Sequence, residues 1–316
     1  MTGSMRCRLS VTAAPQLVRH SHRRAPLDLV GLTLLMKVTN GSSEVAIGLI
    51  DGPVDTTHPD LAAQAVASIG PSHVDSCRHV SSAACAHGSY VAGILIARRG
   101  SEAPAICPDC TLLVRPIFLE PMTNLDDLRA DPGELALALA DCADAGVRVV
   151  NVSAALAQPS MKDDRALTDA LDHAARRGVI VVVAAGNQGT LGSTAITRHP
   201  WVIPVVSYDE HGRPHSHSNV GRSIGRSGLG APGVGISSLG AGRTPLTCSG
   251  TSAAAPFVTG AVALLCSEFP DASGHDIKSG LLAMRAEQRT TVVPPLMDAW
   301  GSYQFLQGTR PGRRSR

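Results

Sequence analysis

The chain has 316 residues, of which 44% are hydrophobic, 17% charged and only 3% aromatic; this length holds one or two domains and the apolar content suffices for a sizeable core. The formal net charge is +2, too small for nucleic acid or an acidic surface to be the main partner. No segment approaches the ~18 apolar residues of a membrane span, so neither nucleic acid nor membrane is expected as a partner.

Residues 1–26 read as a basic tail, with Arg19, Arg23 and Arg24 solvated rather than forming a binding arm. The basic stretch is followed by Leu27-Asp28-Leu29, and Asp28 interrupts an apolar run already too short for a secretory signal. A cytoplasmic location is therefore expected. From residue 45 onward apolar runs alternate with amphipathic stretches, the pattern of βαβ units. Strands are predicted over 44–50, 111–118, 147–152, 179–184 and 201–206. Helices are predicted over 89–97, 133–145, 164–177, 253–268 and 275–286, with Gly146 and Gly178 as helix stops and Pro270 beyond the fourth. Residues 209–250 are Gly-, Ser- and Pro-rich loops with short strands. These elements predict an α/β fold, a doubly wound and mainly parallel sheet with helices on both faces. A single domain over 27–308 is expected, with 309–316 as a second basic tail. The oligomeric state is left open.

Eight cysteines in a chain without an export signal do not make a disulfide framework. Cys107-Pro108-Asp109-Cys110 is a lone C-x-x-C pair, with Cys77 and Cys85 upstream. A zinc site would have to join these two pairs, with His79 as a further ligand. Buried thiols, or a disulfide formed under oxidation, are the simpler readings.

In open α/β sheets, ligands and reacting groups gather at the carboxyl ends of the strands. Asp51 falls at such an end in Ile50-Asp51-Gly52. His87 opens the predicted helix in His87-Gly88-Ser89-Tyr90-Val91-Ala92-Gly93, and Ser252 opens another in Gly250-Thr251-Ser252-Ala253-Ala254-Ala255-Pro256. Taken singly, Asp51 is a strand-end turn, His87 a core histidine and Ser252 an N-cap. Together, and with Ala184-Ala185-Gly186-Asn187 after a Val-rich strand, they are an acid, a base, a nucleophile and an amide donor.

In these four blocks the chain resembles the subtilases, the subtilisin-like serine peptidases. The order Asp, His, Ser is that of subtilisin rather than of chymotrypsin or the α/β-hydrolases. The aspartate block runs to His58-Pro59-Asp60-Leu61, and the serine block matches from Ser249 to Pro256. The resemblance implies a serine endopeptidase with the triad Asp51, His87 and Ser252, and with Asn187 as oxyanion donor. It also implies that Ser153, Ala154 and Ala155 pair with an extended substrate by β-augmentation. Ala184, Ala185 and Gly186 would line the side-chain pocket beside the scissile bond.

Two departures matter. Asp60 matches a position that ligates structural calcium in many subtilisins, but the companion loop is replaced by Ala97-Arg98-Arg99-Gly100-Ser101-Glu102. One carboxylate cannot make a six- to eight-oxygen calcium site, so no cofactor is expected, with calcium at Asp60 the one alternative kept. The stretch before residue 44 is also too short for the prodomain of secreted subtilisins. That feature, with Asp51-Gly52-Pro53-Val54-Asp55 and Arg115-Pro116-Ile117-Phe118, most resembles the branch that processes ribosomally made precursor peptides, as in cyanobactin maturation. The expected substrate is a peptide or unfolded protein. A general intracellular protease of broad specificity, or an inactive subtilase fold used for binding, are the alternatives.

Overall fold

In the computed structural model, which describes residues 25–70, 77–118, 131–153, 164–284 and 291–309, short Val- and Ile-rich runs form the strands. They are β1 (Ala46–Asp51), β2 (Val66–Ser68), β3 (Thr111–Pro116), β4 (Val149–Val152), β5 (Ile180–Ala184), β6 (Val202–Tyr208) and β7 (Leu229–Pro232). These seven pair in parallel in the order β2-β3-β1-β4-β5-β6-β7. A separate antiparallel pair, β8 (Ile236–Ser238) and β9 (Leu246–Cys248), stands apart from the sheet.

The helices are α1 (Pro26–Leu29), α2 (Leu32–Val38), α3 (Ala83–Ile96), α4 (Pro132–Asp144) and α5 (Arg165–Arg176). After them come α6 (Ala195–Arg198), α7 (Arg222–Ser227), α8 (Thr251–Glu268), α9 (Gly274–Ala283) and α10 (Ala299–Thr309). Strand side chains alternate between two cores. Ile47, Leu49, Ile180 and Val182 face the core shared with α3 and α8. Ile50, Val150, Val181 and Val183 face the core shared with α4 and α5. A sheet buried on both faces explains why its strands are near-continuous apolar runs.

The doubly wound prediction holds, and it locates the reversal: β3 and β4 lie on either side of β1. That is the switch point where such sheets open a crevice beyond the strand ends, and Asp51 is the last residue of β1. Contrary to the expectation that no segment approaches a membrane span, helix α8 has the length and apolar content of one, but 89% of it is buried inside the protein. No other described helix meets that test.

Two further expectations need correction. The helix placed at 89–97 begins at Ala83, so His87 lies inside α3 instead of opening it. Gly88 is helical too, and its missing Cβ lets the helix meet the backbone at Gly52 and Pro53. Second, α1 and α2 precede the first strand, in a stretch given no elements from sequence. For the cysteines both of the simpler readings occur: Cys77 and Cys85 are joined in a disulfide, whereas Cys107 and Cys110 are free and buried. A zinc set joining the two pairs would need Cys77 and Cys85 as thiolates, and here their sulfurs are bonded to each other.

Candidate active site

Asp51 and His87 meet through backbone contact between their neighbours. A Cβ on Gly52 would overlap the backbone of Ala84 in α3, and one on Gly88 would overlap the carbonyl oxygens of Gly52 and Pro53. Both glycines are thus fixed by close approach rather than by conformational freedom. The interlock seats the second turn of α3 on the chain leaving β1. The residues next to the two glycines then face each other, with His87 Nδ1 2.7 Å from Asp51 Oδ1.

Both side chains are withdrawn from solvent, Asp51 at 0% and His87 at 1% exposure. An ionised carboxylate can only accept, so Nδ1 carries the proton and Nε2 presents its lone pair. Asp51 Oδ1 also accepts the backbone N–H of Gly52 at 2.7 Å. Its Oδ2 is buried with no hydrogen-bond partner among the described residues. The Asp51 carbonyl accepts Ile117 N–H at 2.8 Å, so the turn is tied to β3 as well.

Ser252 is the second residue of α8, whose first residue is Thr251 and whose N-cap is Gly250 with φ 139°. An 18-residue helix directs the positive end of its dipole at this point. Helices α3 and α8 pack against each other, bringing the two sequence blocks onto one side of the sheet.

Asn187 is anchored to the same helix start. Thr251 donates to Asn187 Oδ1 twice, from its backbone N–H at 2.8 Å and its hydroxyl at 3.0 Å. A backbone N–H can only donate, which identifies the atom facing it as the amide oxygen. The amide nitrogen, the donor end, is left on the other side. The Thr251 hydroxyl also accepts Gly186 N–H at 3.1 Å. A Cβ on Gly250 would approach Asn187 Nδ2 to 2.9 Å, so the glycine N-cap makes room for the amide.

The rest of the loop is shaped by Asn219, which sequence reasoning missed. Its side-chain oxygen accepts from Gln188 N–H at 3.0 Å, Thr190 N–H at 3.1 Å and the Thr190 hydroxyl at 3.0 Å. Its backbone N–H donates to Gly186 O at 2.8 Å. Gly186, at φ 105°, packs its bare Cα against the Asn219 amide. The signal was present as Ser218-Asn219 in the Gly/Ser-rich stretch, but a loop acceptor has no periodicity to reveal it.

Ala184 and Ala185 are buried beside Asn187, with Ala185 N–H donated to Val205 O at 3.0 Å. At the end of β4, Ser153 Oγ accepts from Asn151 Nδ2 at 2.8 Å, and Asn151 Oδ1 accepts the Thr259 hydroxyl of α8 at 2.8 Å. This buried link, also unread in the sequence, couples the expected substrate strand to the serine helix. Ala154 and Ala155 lie outside the described residues.

Asp60 is occupied by a cation already present in the chain. Arg98 donates Nε and Nη2 to Asp60 Oδ1 at 3.1 and 2.9 Å, and its backbone N–H to Asp60 O at 2.9 Å. No group of three or more His, Cys, Asp or Glu able to hold a metal occurs among the described residues.

A serine at a helix start, an imidazole held by a carboxylate and an anchored amide are groups able to carry acyl transfer. Comparison with known proteins bears on the family. The subtilase family model matches residues 42–297. Subtilisin NAT of Bacillus subtilis subsp. natto is 30% identical over 244 residues, 76% of this chain and 60% of its own length. The thermophilic serine proteinase of Bacillus sp. strain AK1 is 33% identical over 234 residues, 73% of this chain and 54% of its own length. The chain thus spans less than two thirds of these relatives. Among solved structures, Prenylagaramide maturation protease PagA matches with TM-score 0.77 at 25% identity, covering 88% of this chain and 99% of that one. Patellamide maturation protease PatA matches with TM-score 0.73 at 27% identity, covering 85% and 99%. On the extent of the family match and the order of its blocks, this chain belongs to the subtilase family.

Proposed function

We propose that this chain is a serine endopeptidase that cleaves a ribosomally made precursor peptide during natural-product maturation. The observation that carries the chemistry is the anchoring of Asn187 Oδ1 by Thr251, next to Ser252. An amide so held presents its nitrogen as a donor before any substrate arrives, which is what stabilising a developing oxyanion requires. Ser252 Oγ attacks the scissile carbonyl while His87 Nε2 takes the hydroxyl proton. Asp51 holds the imidazole in the required tautomer and stabilises the imidazolium. The oxyanion is met by Asn187 Nδ2 and the Ser252 backbone N–H. His87 then passes its proton to the leaving amine, and water repeats the sequence on the acyl-enzyme.

The substrate class follows from the strand end at Ser153 and from the likeness to the two maturation proteases. Pairing along residues 153–155 requires several consecutive residues with free backbone groups. An unstructured precursor offers them without an unfolding cost. The enzyme needs no metal or organic cofactor in this scheme. The test is digestion of a leader-bearing precursor peptide and of denatured casein at equal enzyme, followed by mass spectrometry. One or a few cleavages in the precursor with slow casein turnover are expected. Fast, indiscriminate casein degradation would instead identify a general protease, and no labelling of Ser252 by a fluorophosphonate would identify an inactive fold.

A further inference from the structure

The C-x-x-C turn takes no part in the scheme above, yet it is built in detail. Ile106 N–H donates to Ile94 O at 2.9 Å and Cys107 N–H to Leu95 O at 2.7 Å, so the turn grips the last turn of α3. Cys110 N–H closes it onto Cys107 O at 3.1 Å, and Asp109 N–H reaches Asn40 O at 3.1 Å. Gly41, at φ 103°, lies against the second sulfur: a Cβ there would approach Cys110 Sγ to 2.6 Å. Ser267 Oγ, near the end of α8, is 3.9 Å from the same sulfur. The two thiols hydrogen-bond each other, and both are free. Between them only Asp109 is exposed, so the pair sits one residue below the surface.

We propose that Cys107 and Cys110 form a dithiol that converts reversibly to a disulfide, an oxidation site separate from the peptidase centre. The two sulfurs are unequal. The hydrogen bond from Cys107 holds the Cys110 thiol below its ordinary range, whereas burial pushes Cys107 well above it. Cys110 is therefore the attacking thiolate and Cys107 the resolving thiol. Arg99 reinforces the site: its charge acts on Cys107, its Nη2 donates to Ile106 O at 3.0 Å, and its buried Nε has no partner among the described residues.

Both thiols are fully buried, so the oxidant has to be small and uncharged, and hydrogen peroxide is that class. Cys110 sulfur attacks one peroxide oxygen, an S–O bond forms as O–O breaks, and the departing hydroxide becomes water with the thiol proton. Cys107 sulfur then displaces hydroxide from the sulfenic sulfur, S–S forms as S–O breaks, and a second water leaves. Two thiols and one peroxide give one disulfide and two waters. A dithiol reductant reverses the change by exchange.

The test treats the folded full chain with peroxide, blocks remaining thiols with iodoacetamide in denaturant and maps the peptides. Cys142 is the internal control, a thiol that burial pushes up to about 12. The Cys107–Cys110 link is expected to form roughly tenfold faster than Cys142 is lost, and dithiothreitol should restore both thiols. Loss at the rate of Cys142, stable sulfinic acid at Cys110, or a link from Cys110 to Cys266 would each overturn the proposal. In Cys110→Ser, Cys107 should stay alkylatable under the same treatment. If that variant does not fold, the wild-type map decides alone. None of these readouts depends on peptidase activity.

Discussion

In α3, His87 lies in the second turn of a helix that packs glycine-first onto the end of β1. In α8, Ser252 lies at the very start of a helix whose N-terminus is knitted to a loop by Asn187 and Thr251. Both helices are buried nearly all round, so neither shows the amphipathic stripe of a surface helix. The first placement is steric and the second polar. Steric placement fails abruptly, because backbone atoms cannot give way. Polar placement fails by degrees, because one donor at a time is lost.

The extreme case on the polar side removes the nucleophile itself. Ser252→Ala deletes one oxygen from a helix start whose caps do not use it, so circular dichroism and melting temperature should stay near wild type. Turnover of a peptide substrate should fall by about 10⁶, the size of loss subtilisin shows for its own serine. Activity within about tenfold of wild type would remove Ser252 from the scheme.

On the steric side, Gly88→Ala places a methyl against two backbone carbonyls. The helix must shift outward, and overpacking of this kind costs about 1–3 kcal/mol or more. A fall in melting temperature together with loss of fluorophosphonate labelling is expected. A variant that labels at the wild-type rate would show that the interlock does not set the His87 position.

Asn187→Ala separates the two regimes most cleanly. It should lower kcat by roughly 10²–10³ with KM little changed, since an oxyanion forms only beyond the ground state. Thr251→Val keeps Asn187 but removes the hydroxyl that bonds both its oxygen and Gly186 N–H. A smaller loss of kcat is expected, because the backbone N–H of Thr251 still holds the amide. A rise in KM alone in either variant would make Asn187 a binding residue.

Much of this was legible because the four blocks are local in sequence. Asp51, Asn187 and Ser252 each sit at or beside an element boundary, His87 sits beside a glycine in a run of small residues, and the parallel sheet follows from the order of apolar runs. What was not legible joins distant residues. Gly52 meets Ala84, Asn219 meets Gly186, and Thr259 meets Asn151, and no spacing rule predicts such partners. The start of α3 was placed late because the run Ala83-Ala84-Cys85-Ala86 is small and apolar throughout and has no polar face to set a helical period. Helices α1 and α10 escaped because short or weakly patterned segments carry little periodic signal.

Cys77 belongs to the steric side too, since its disulfide to Cys85 ties the chain before α3 to a point two residues ahead of His87. The sequence separation is 8 residues, and closing so short a loop in the unfolded chain is worth about 2.5 kcal/mol. Cys77→Ser should therefore lower the melting temperature measurably. The same loss should follow dithiothreitol treatment of wild type. A tether that only stabilises would leave kcat unchanged at low temperature, whereas one that also seats His87 would lower kcat with the melting temperature.

The smallest effect is expected at the far end of α3. Arg98 is well exposed, at 68%, although Asp60 is only 19% exposed, so the pair is screened and contributes at most about 1 kcal/mol. Arg98→Ala should shift the melting temperature only slightly and leave turnover untouched, because the bond from Arg98 N–H to Asp60 O survives the change. The guanidinium lies on the carboxylate that calcium would have to use, and a cation of either kind satisfies the same charge. If the arginine suffices, EDTA alters neither melting temperature nor activity, and added calcium does not stabilise wild type. In Arg98→Ala the freed carboxylate is still a single ligand, short of the six to eight oxygens calcium takes, so calcium should not rescue it either. Inactivation by EDTA with recovery on calcium would show that the site is metal-held and that the ion pair forms only in its absence.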